Sequence, residues 1–291
     1  MKEKELDIFF DTALRAETID RLGNDLIILE NPYSSELPDF PFRSDTSISI
    51  ITVDGSMECA VDMVQLKVDV PGMLVILPSQ IVENISFKKG YRGYCMIMSQ
   101  SFLENLPMGN KIPLMGEIRR HPFYPMSPEM TDSVMNYIHM LQGTIRYSSK
   151  YQSEIVTHLT IAYYYGLGTT IHDLGDQNKT ATRYDRIAGE FMQLVRDNCR
   201  SRRDMEFYAD ALCLTAKHIS LAVKTVTGLS ATKWIERYTI LNAKSLLATT
   251  DLSISEIADK LSFNSQSDFG KYFKKFTGMS PKAFRAGSGR Q

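Results

Sequence analysis

The chain reads as an α+β protein. Its first half is a small antiparallel β-barrel or sandwich followed by a helix pair. Its second half is an all-α domain of two helix-turn-helix units joined by a long helix. Three observations carry this reading. Short alternating apolar runs broken by turn residues fill 26–99. A cap, a short apolar helix, a turn and a second helix occur twice near the C-terminal end. Charge also divides along the chain: residues 183–291 hold 18 Lys/Arg against 11 Asp/Glu, and residues 1–182 hold 15 against 23.

Taken in order, residues 1–25 mix charges with Ile8, Phe9, Phe10 and Leu14 and read as a short helix or an arm. In 26–99, Ile48, Ile50 and Thr52 alternate with Ser47, Ser49 and Ile51, and Asp54-Gly55 is a hairpin signal. Pro71-Gly72 marks another turn, 73–78 is a short buried strand ended by Pro78, and 91–99 is a further strand. Helices are expected at 131–147 and 152–166. Ser127-Pro128-Glu129 caps the first, whose stripe is Val134, Tyr137, Ile138, Leu141 and Ile145. Ile155, Leu159, Ala162 and Tyr163 form the stripe of the second. The polar stretch 168–182 has two glycines and no periodicity, and reads as a linker. This divides the chain into 1–167, a linker 168–182, and 183–291.

The repeat is read residue by residue. Ala209, Leu212 and Leu214 match Ala258, Leu261 and Phe263 at an offset of 49; Ile219, Val223, Lys224, Thr227 and Gly228 match Phe269, Phe273, Lys274, Thr277 and Gly278 at 50. The extra residue falls in the turn, where insertion costs least. In the second copy Ser253 and Glu256 form a capping box, with Leu252 and Ile257 as its hydrophobic staple. Gly278 supplies the left-handed stop and Pro281 starts the next helix. Between the copies, 230–248 carries Trp234, Ile235, Tyr238, Leu241, Leu246 and Leu247. As a helix it would be roughly 28 Å long, close to the ~34 Å between successive major-groove faces of B-DNA.

Residues from about 183 to 285 closely resemble the AraC/XylS family of bacterial transcription regulators. The words that carry the resemblance are AKHISLAVKTVTGLSATKWI, LNAKSLLATTDLSISEIADKLSF and SQSDFGKYFKKFTGMSPKAFR. Ser262 departs from the glycine frequent in the second turn of that family. A second resemblance, in VPGMLVILPSQIVENI and YRGYCMIMSQSFLENL, is to the family's cupin-like barrel, with Met73 where an acidic residue often follows the Pro-Gly pair. The resemblance implies an effector-holding barrel, dimerisation through the helix pair, and contact with RNA polymerase. It also implies double-stranded promoter or operator DNA as a partner.

On the first recognition helix, Lys217, His218, Ser220, Leu221 and Lys224 lie off the apolar face of Ile219, Ala222, Val223 and Val226. By register, Lys217, Ser220 and Leu221 match positions that reach base edges in the family, and Leu221 could also touch a thymine methyl or be plain surface. On the second, Gln266, Ser267, Asp268, Gly270 and Lys271 form the outer face. Gln266 suits adenine and Lys271 suits guanine O6/N7. Asp268 could accept from cytosine N4, but a helix cap is the preferred reading. Gly270 either permits close approach or is a gap. Lys274 and Lys275 read as phosphate contacts, which position without specifying sequence.

Other function classes find little footing. No histidine occurs before His121, so a barrel metalloenzyme lacks its usual ligands, and His139, His158 and His172 are isolated. No phosphate-binding Gly-rich loop, nucleophile elbow or HExxH helix is present, so catalysis is not expected and neither cofactor nor metal is called for. Cys59, Cys95, Cys199 and Cys213 show no paired metal spacing and suit reduced, packing thiols. The composition is that of a soluble globular protein, with neither a signal peptide nor a run of ~20 apolar residues, and a cytoplasmic location is expected. Two roles for the barrel stay open: sensing a small-molecule effector, with Tyr33, Phe40 and Phe42 as candidate pocket lining, or dimerising the chain without any ligand.

Overall fold

In the computed structural model, the residues described are 16–32, 41–44, 46–69, 71–78, 80–108, 115, 118–119, 122–147, 149–177 and 182–287, excluding the side chains of 170–177. The chain divides into two units, Met1–Pro38 with Ser44–Gln177 and Asp39–Arg43 with Asn178–Gln291.

The first unit starts with a hairpin of β1 (Thr18–Leu22) and β2 (Leu26–Glu30), turned at Gly23 with φ 50. The helix-or-arm reading of 1–25 is therefore corrected over β1; β-branched Thr18 and Ile19 favour extension there, and a glycine turn returns the chain. Ile8, Phe9, Phe10 and Leu14 lie outside the described residues. The short β3 (Phe42–Arg43) is counted with the second unit, and the β-strands continue with β4 (Thr46–Asp54), β5 (Met57–Val61), β6 (Val64–Val68), β7 (Gly72–Ile76), β8 (Ile81–Phe87) and β9 (Arg92–Ser99). After α1 (Gln100–Asn105) comes β10 (Phe123–Pro125).

One antiparallel sheet has the order β1-β2-β9-β4-β7-β10; another contains the run β8-β5-β6. Asp54-Gly55 is not a hairpin: β4 pairs with β7 and β9, whereas β5 pairs with β6 and β8. It is a corner that passes the chain between sheets. Gly55 is required there because φ is 77 and a Cβ would lie 2.8 Å from Tyr91 Cα. The tight hairpin is Asp62-Met63, both left-handed at φ 48 and 70, between the paired Val61 and Val64. That geometry matches a type I′ turn, which Asn-Gly would have announced and Asp-Met does not.

Both faces of β4 are buried, the serine face included. Ser47 Oγ lies 3.1 Å from Tyr164 OH, so these hydroxyls pack against a helix rather than water. The helix pair is α2 (Pro128–Arg146) and α3 (Gln152–Gln177). Ser127 caps α2 by accepting from the Met130 N–H, with Pro128 in the first turn. The carboxylate of Asp20 on β1 is buried and accepts from Arg146 Nε and Nη2 at 2.7 and 2.8 Å and from Gln142 Nε2 at 2.9 Å, fastening the sheet edge to α2.

Two expectations for α3 are corrected. Its buried stripe is Val156, Thr160, Tyr163, Tyr164 and Leu167, while Ile155 and Ala162 are exposed. Thr160 concealed that stripe, because its hydroxyl is buried by donating back to Val156 O at 2.8 Å. The helix also runs on to Gln177, through the first ten residues of the stretch read as linker. Ile171 and Leu174 follow Leu167 at helical spacing in the sequence, a continuation masked by the surrounding Gly and Thr.

Cys59, Cys95 and Cys199 are buried and Cys213 is exposed. Burial pushes the thiols of Cys59 and Cys95 up to about 12. At pH 8 a thiol of pKa ~12 is roughly one part in 10⁴ thiolate, the reactive form. The native chain should therefore react rapidly with a disulfide reagent at Cys213 alone and at all four cysteines once denatured, as a spectrophotometric thiol titration will read.

Candidate nucleic-acid interface

The second unit is α4 (Arg183–Asn198), α5 (Met205–Ala211), α6 (Ala216–Thr227), α7 (Ala231–Thr249), α8 (Ile254–Lys260), α9 (Gln266–Thr277) and α10 (Pro281–Gly287). Within it, α5–α6 and α8–α9 are the two copies of one device.

Their turns agree bond for bond. After α5 the N–H groups of Leu212, Cys213 and Leu214 donate to Tyr208, Asp210 and Ala209 carbonyls. After α8 those of Leu261, Ser262 and Phe263 donate to Ile257, Asp259 and Ala258, each 49 residues on. Cys213 and Ser262 hold the same left-handed position, at φ 52 and 51. A side chain there costs about 1–2 kcal/mol that glycine avoids. Ser262→Gly should therefore raise the unfolding free energy by about 1 kcal/mol, read from denaturant midpoints.

Each following helix is capped and stopped alike. Thr215 accepts from the His218 N–H and Ser265 from the Asp268 N–H. The Thr227 and Thr277 hydroxyls donate to Val223 O and Phe273 O, both at 2.8 Å, and Gly228 and Gly278 close the helices at φ 74 and 81. The capping box of α8 is formed, with Ser253 N–H donating to Glu256 at 2.7 Å. That bond holds the Glu256 carboxyl below its ordinary range.

The buried sides are Ile219, Ala222 and Val223 on α6 and Phe269 and Phe273 on α9. Val226, expected on the apolar face of α6, is instead 41% exposed: it sits in the last turn, two residues before Gly228 ends the helix. On the outer side of α6, Lys217, Leu221 and Lys224 are exposed and Ser220 is half-buried. Leu221 is an exposed leucine on a face otherwise polar, which suits contact with an apolar base edge. His218 is half-buried, its ring edge-on to Tyr184 at 6.1 Å. On α9, Gln266, Ser267, Lys271, Lys274 and Lys275 are all exposed. Asp268 accepts from Ser265 Oγ at 2.9 Å, which places its carboxylate in the cap. A Cβ at Gly270 would meet nothing within 4 Å, so this glycine serves no close approach within the chain and leaves the outer face low.

The two helices thus present exposed cations and hydrogen-bonding side chains on rigid, capped supports. Base edges and phosphates are the chemistry such a surface can read. The 19-residue α7 joins them and is about 28 Å long. Sequence reasoning passed over Thr225, which is exposed on α6 beside Leu221 and donates to Leu221 O.

Among the described residues, the other candidates gather into no site. His121, Tyr33 and Phe40 lie outside the described residues, as does the side chain of His172, and Phe42 is buried. His139 packs edge-on to Tyr94 and His158 Nδ1 contacts Glu154 O at 2.8 Å. Among the described residues no three His, Cys, Asp or Glu side chains are grouped to hold a metal, and no helix is long and apolar enough to cross a membrane.

Residues 208–287 match a family model described as a helix-turn-helix domain. The arabinose operon regulatory protein of Escherichia coli K12 is 29% identical over 161 residues, covering 55% of this chain and 52% of that protein. The chain therefore spans about half the length of that relative. The HTH-type transcriptional activator AarP of Providencia stuartii is 30% identical over 99 residues, covering 34% of this chain and 73% of AarP. Among solved structures, the DNA-binding domain of AdpA in complex with a target DNA is 25% identical, covers 35% of this chain and 90% of its own, and has a TM-score of 0.32.

Proposed function

Because the chain belongs to the AraC/XylS family of transcription regulators, we propose that it reads duplex DNA in a sequence-specific way, laying α6 and α9 into successive major-groove faces. The observation that carries this reading is the duplication itself. Two turns with the same bonds and a left-handed residue at the same position each aim a capped helix whose free side is polar and cationic. In this reading Gln266, Ser267 and Lys271 meet base edges from α9, and Lys217, Ser220 and Leu221 do so from α6. Lys224, Lys274 and Lys275 hold phosphates. His218 stands at the margin, packed on Tyr184.

Residues 183–291 form the DNA-binding domain and 1–167 a cupin-like regulatory domain, joined through 168–182, part of which extends α3. An effector held by the barrel would alter occupancy or contact with RNA polymerase at a promoter. Dimerisation through α2 and α3 is supported by exposed Met140, Ile155 and Tyr165 on that pair. The second reading, a barrel that only dimerises and senses no ligand, rests on the same surface.

The test is selection of the full chain on a random duplex pool at two salt concentrations. A bipartite motif spaced by about one helical turn is expected. Binding that enriches no motif and simply collapses with salt would leave a non-specific DNA binder. On the selected duplex, Lys271→Ala should relax preference at one base position and cost about 1–3 kcal/mol, while Lys274→Ala should weaken every sequence alike. Uniform loss in both would remove Lys271 from base reading.

A further inference from the structure

The internal repeat exposes one residue out of pattern. At an offset of 49, Leu252, which precedes the Ser253 cap of α8, corresponds to Arg203, which precedes the Asp204 cap of α5. Leu252 is partly buried against the apolar cluster of its own copy, as a staple residue should be. Arg203 cannot play that part, and its side chain leaves its own copy. Its Nη1 donates to Leu261 O and its Nη2 donates to Ser262 O at 2.7 Å. Its guanidinium carbon lies 4.0 Å from the centre of the Phe263 ring. All three residues belong to the second copy's turn.

The turn is where such a contact has leverage. Carbonyls at the end of a short helix lack intrahelical donors, and a guanidinium offers a planar fork of donors that can satisfy two at once. Beneath the guanidinium, Phe263 packs on Phe269 at 5.3 Å and Tyr272 at 5.2 Å, and both belong to α9. A group on the N-terminal edge of α5 is therefore fixed to the backbone and the aromatic support that aim α9. Burial lowers the pKa of Arg203. The guanidinium nonetheless stays charged, as arginine does throughout the ordinary pH range.

We infer that Arg203 is a positioning residue that fixes the orientation of the second reading head against the first. It touches no DNA. Through it, the pair binds as one preorganised bivalent reader, matched to a single half-site spacing. This rests on the double-reader function proposed above. Two heads held by α7 alone would reach more spacings and bind each less tightly, because effective concentration falls as the linkage loosens.

The test uses the full chain with Arg203→Leu, which places in the first copy the residue the second copy already has, and Arg203→Lys, which keeps the charge without the fork. The probes are the bipartite duplex selected by the wild-type chain and the same duplex with one base pair added between half-sites. Wild type should discriminate strongly between them. Arg203→Leu should bind the selected duplex about 10-fold more weakly and lose most of the discrimination, with Arg203→Lys intermediate. Wild-type affinity and discrimination in both variants would overturn the inference, as would equal weakening on the two duplexes with discrimination intact.

A second readout needs no DNA. Spin labels at Asp210→Cys and Asp259→Cys, exposed and equivalent in the two copies, are placed in a Cys213→Ser background, serine being the residue that Ser262 shows this turn accepts. The distance distribution should be narrow with Arg203 and broader with Leu or Lys. An unchanged distribution would overturn the inference. If wild type selects no bipartite duplex, the DNA reading fails by itself, and the spin-label distances still decide the role of Arg203.

Discussion

Phe273→Ala should cost about 3–5 kcal/mol of stability, the range for emptying a fully buried phenylalanine site. Phe273 is 0% exposed and packs on Phe269 at 5.8 Å and on Phe284 of α10 at 5.6 Å, within a cluster that includes Leu246, Leu247, Ile257 and Leu261. Removing the ring leaves a cavity walled by three other helices, which cannot all close on it. Its repeat partner Val223 is equally buried but smaller. Val223→Ala should cost roughly 2 kcal/mol, from about 0.8 kcal/mol for each carbon removed plus a cavity term. Lys275→Ala, on the exposed side of the same helix, should change stability by less than about 0.5 kcal/mol. Chemical denaturation followed by far-UV circular dichroism separates the three. A loss of less than about 1 kcal/mol for Phe273→Ala would mean that α9 is not held by this core. Because Lys271, Lys274 and Lys275 are exposed on that helix while Phe273 is buried, the same cavity should weaken DNA binding without touching a contact.

What could be read in advance was whatever rests on local bonding. The Ser253–Glu256 box, the Gly278 stop and the Ser127-Pro128 start each involve a few adjacent residues, and the structure forms them as expected. The repeat was legible because two copies of one local solution share spacing. The misread features depend on partners distant in sequence. Asp54-Gly55 has hairpin chemistry, but its strands find partners in different sheets. The α3 stripe is set by the sheet it meets, and a threonine that bonds its own helix passes as apolar there. Asp62-Met63 turns tightly without glycine, braced by the Asp62 carboxylate accepting from the Ile81 N–H and Gln80 Nε2, both at 3.0 Å. Nothing in its immediate neighbours marks Arg203. Its place 49 residues ahead of Leu252 was the available signal, and only folding shows where the guanidinium goes.

Replacing Lys224, Lys274 and Lys275 together by glutamine should produce the largest loss in DNA binding, and the loss should depend on salt. All three are exposed. Unfolding midpoints should therefore stay near wild type. If each lysine neutralises one phosphate, the slope of log affinity against log salt should become shallower by about 0.9 per residue, or roughly 2.7 in all. Affinity would then fall several-thousand-fold at about 50 mM salt, roughly 150-fold at 0.15 M and less than 10-fold at 0.5 M. The sign follows from counterions: high salt already takes from wild type the release entropy that the variant lacks, so the two converge. Anisotropy titrations on the selected duplex across that range read the slope directly. A gap that stays constant with salt would mean the lysines act through the protein rather than on phosphate, and the basic faces of α6 and α9 would lose their assigned role. Convergence, with base preference unchanged in the variant, would instead separate the two tasks on each helix. Phosphate holding would lie with Lys224, Lys274 and Lys275, and base reading with the turns that carry Lys217, Gln266 and Lys271.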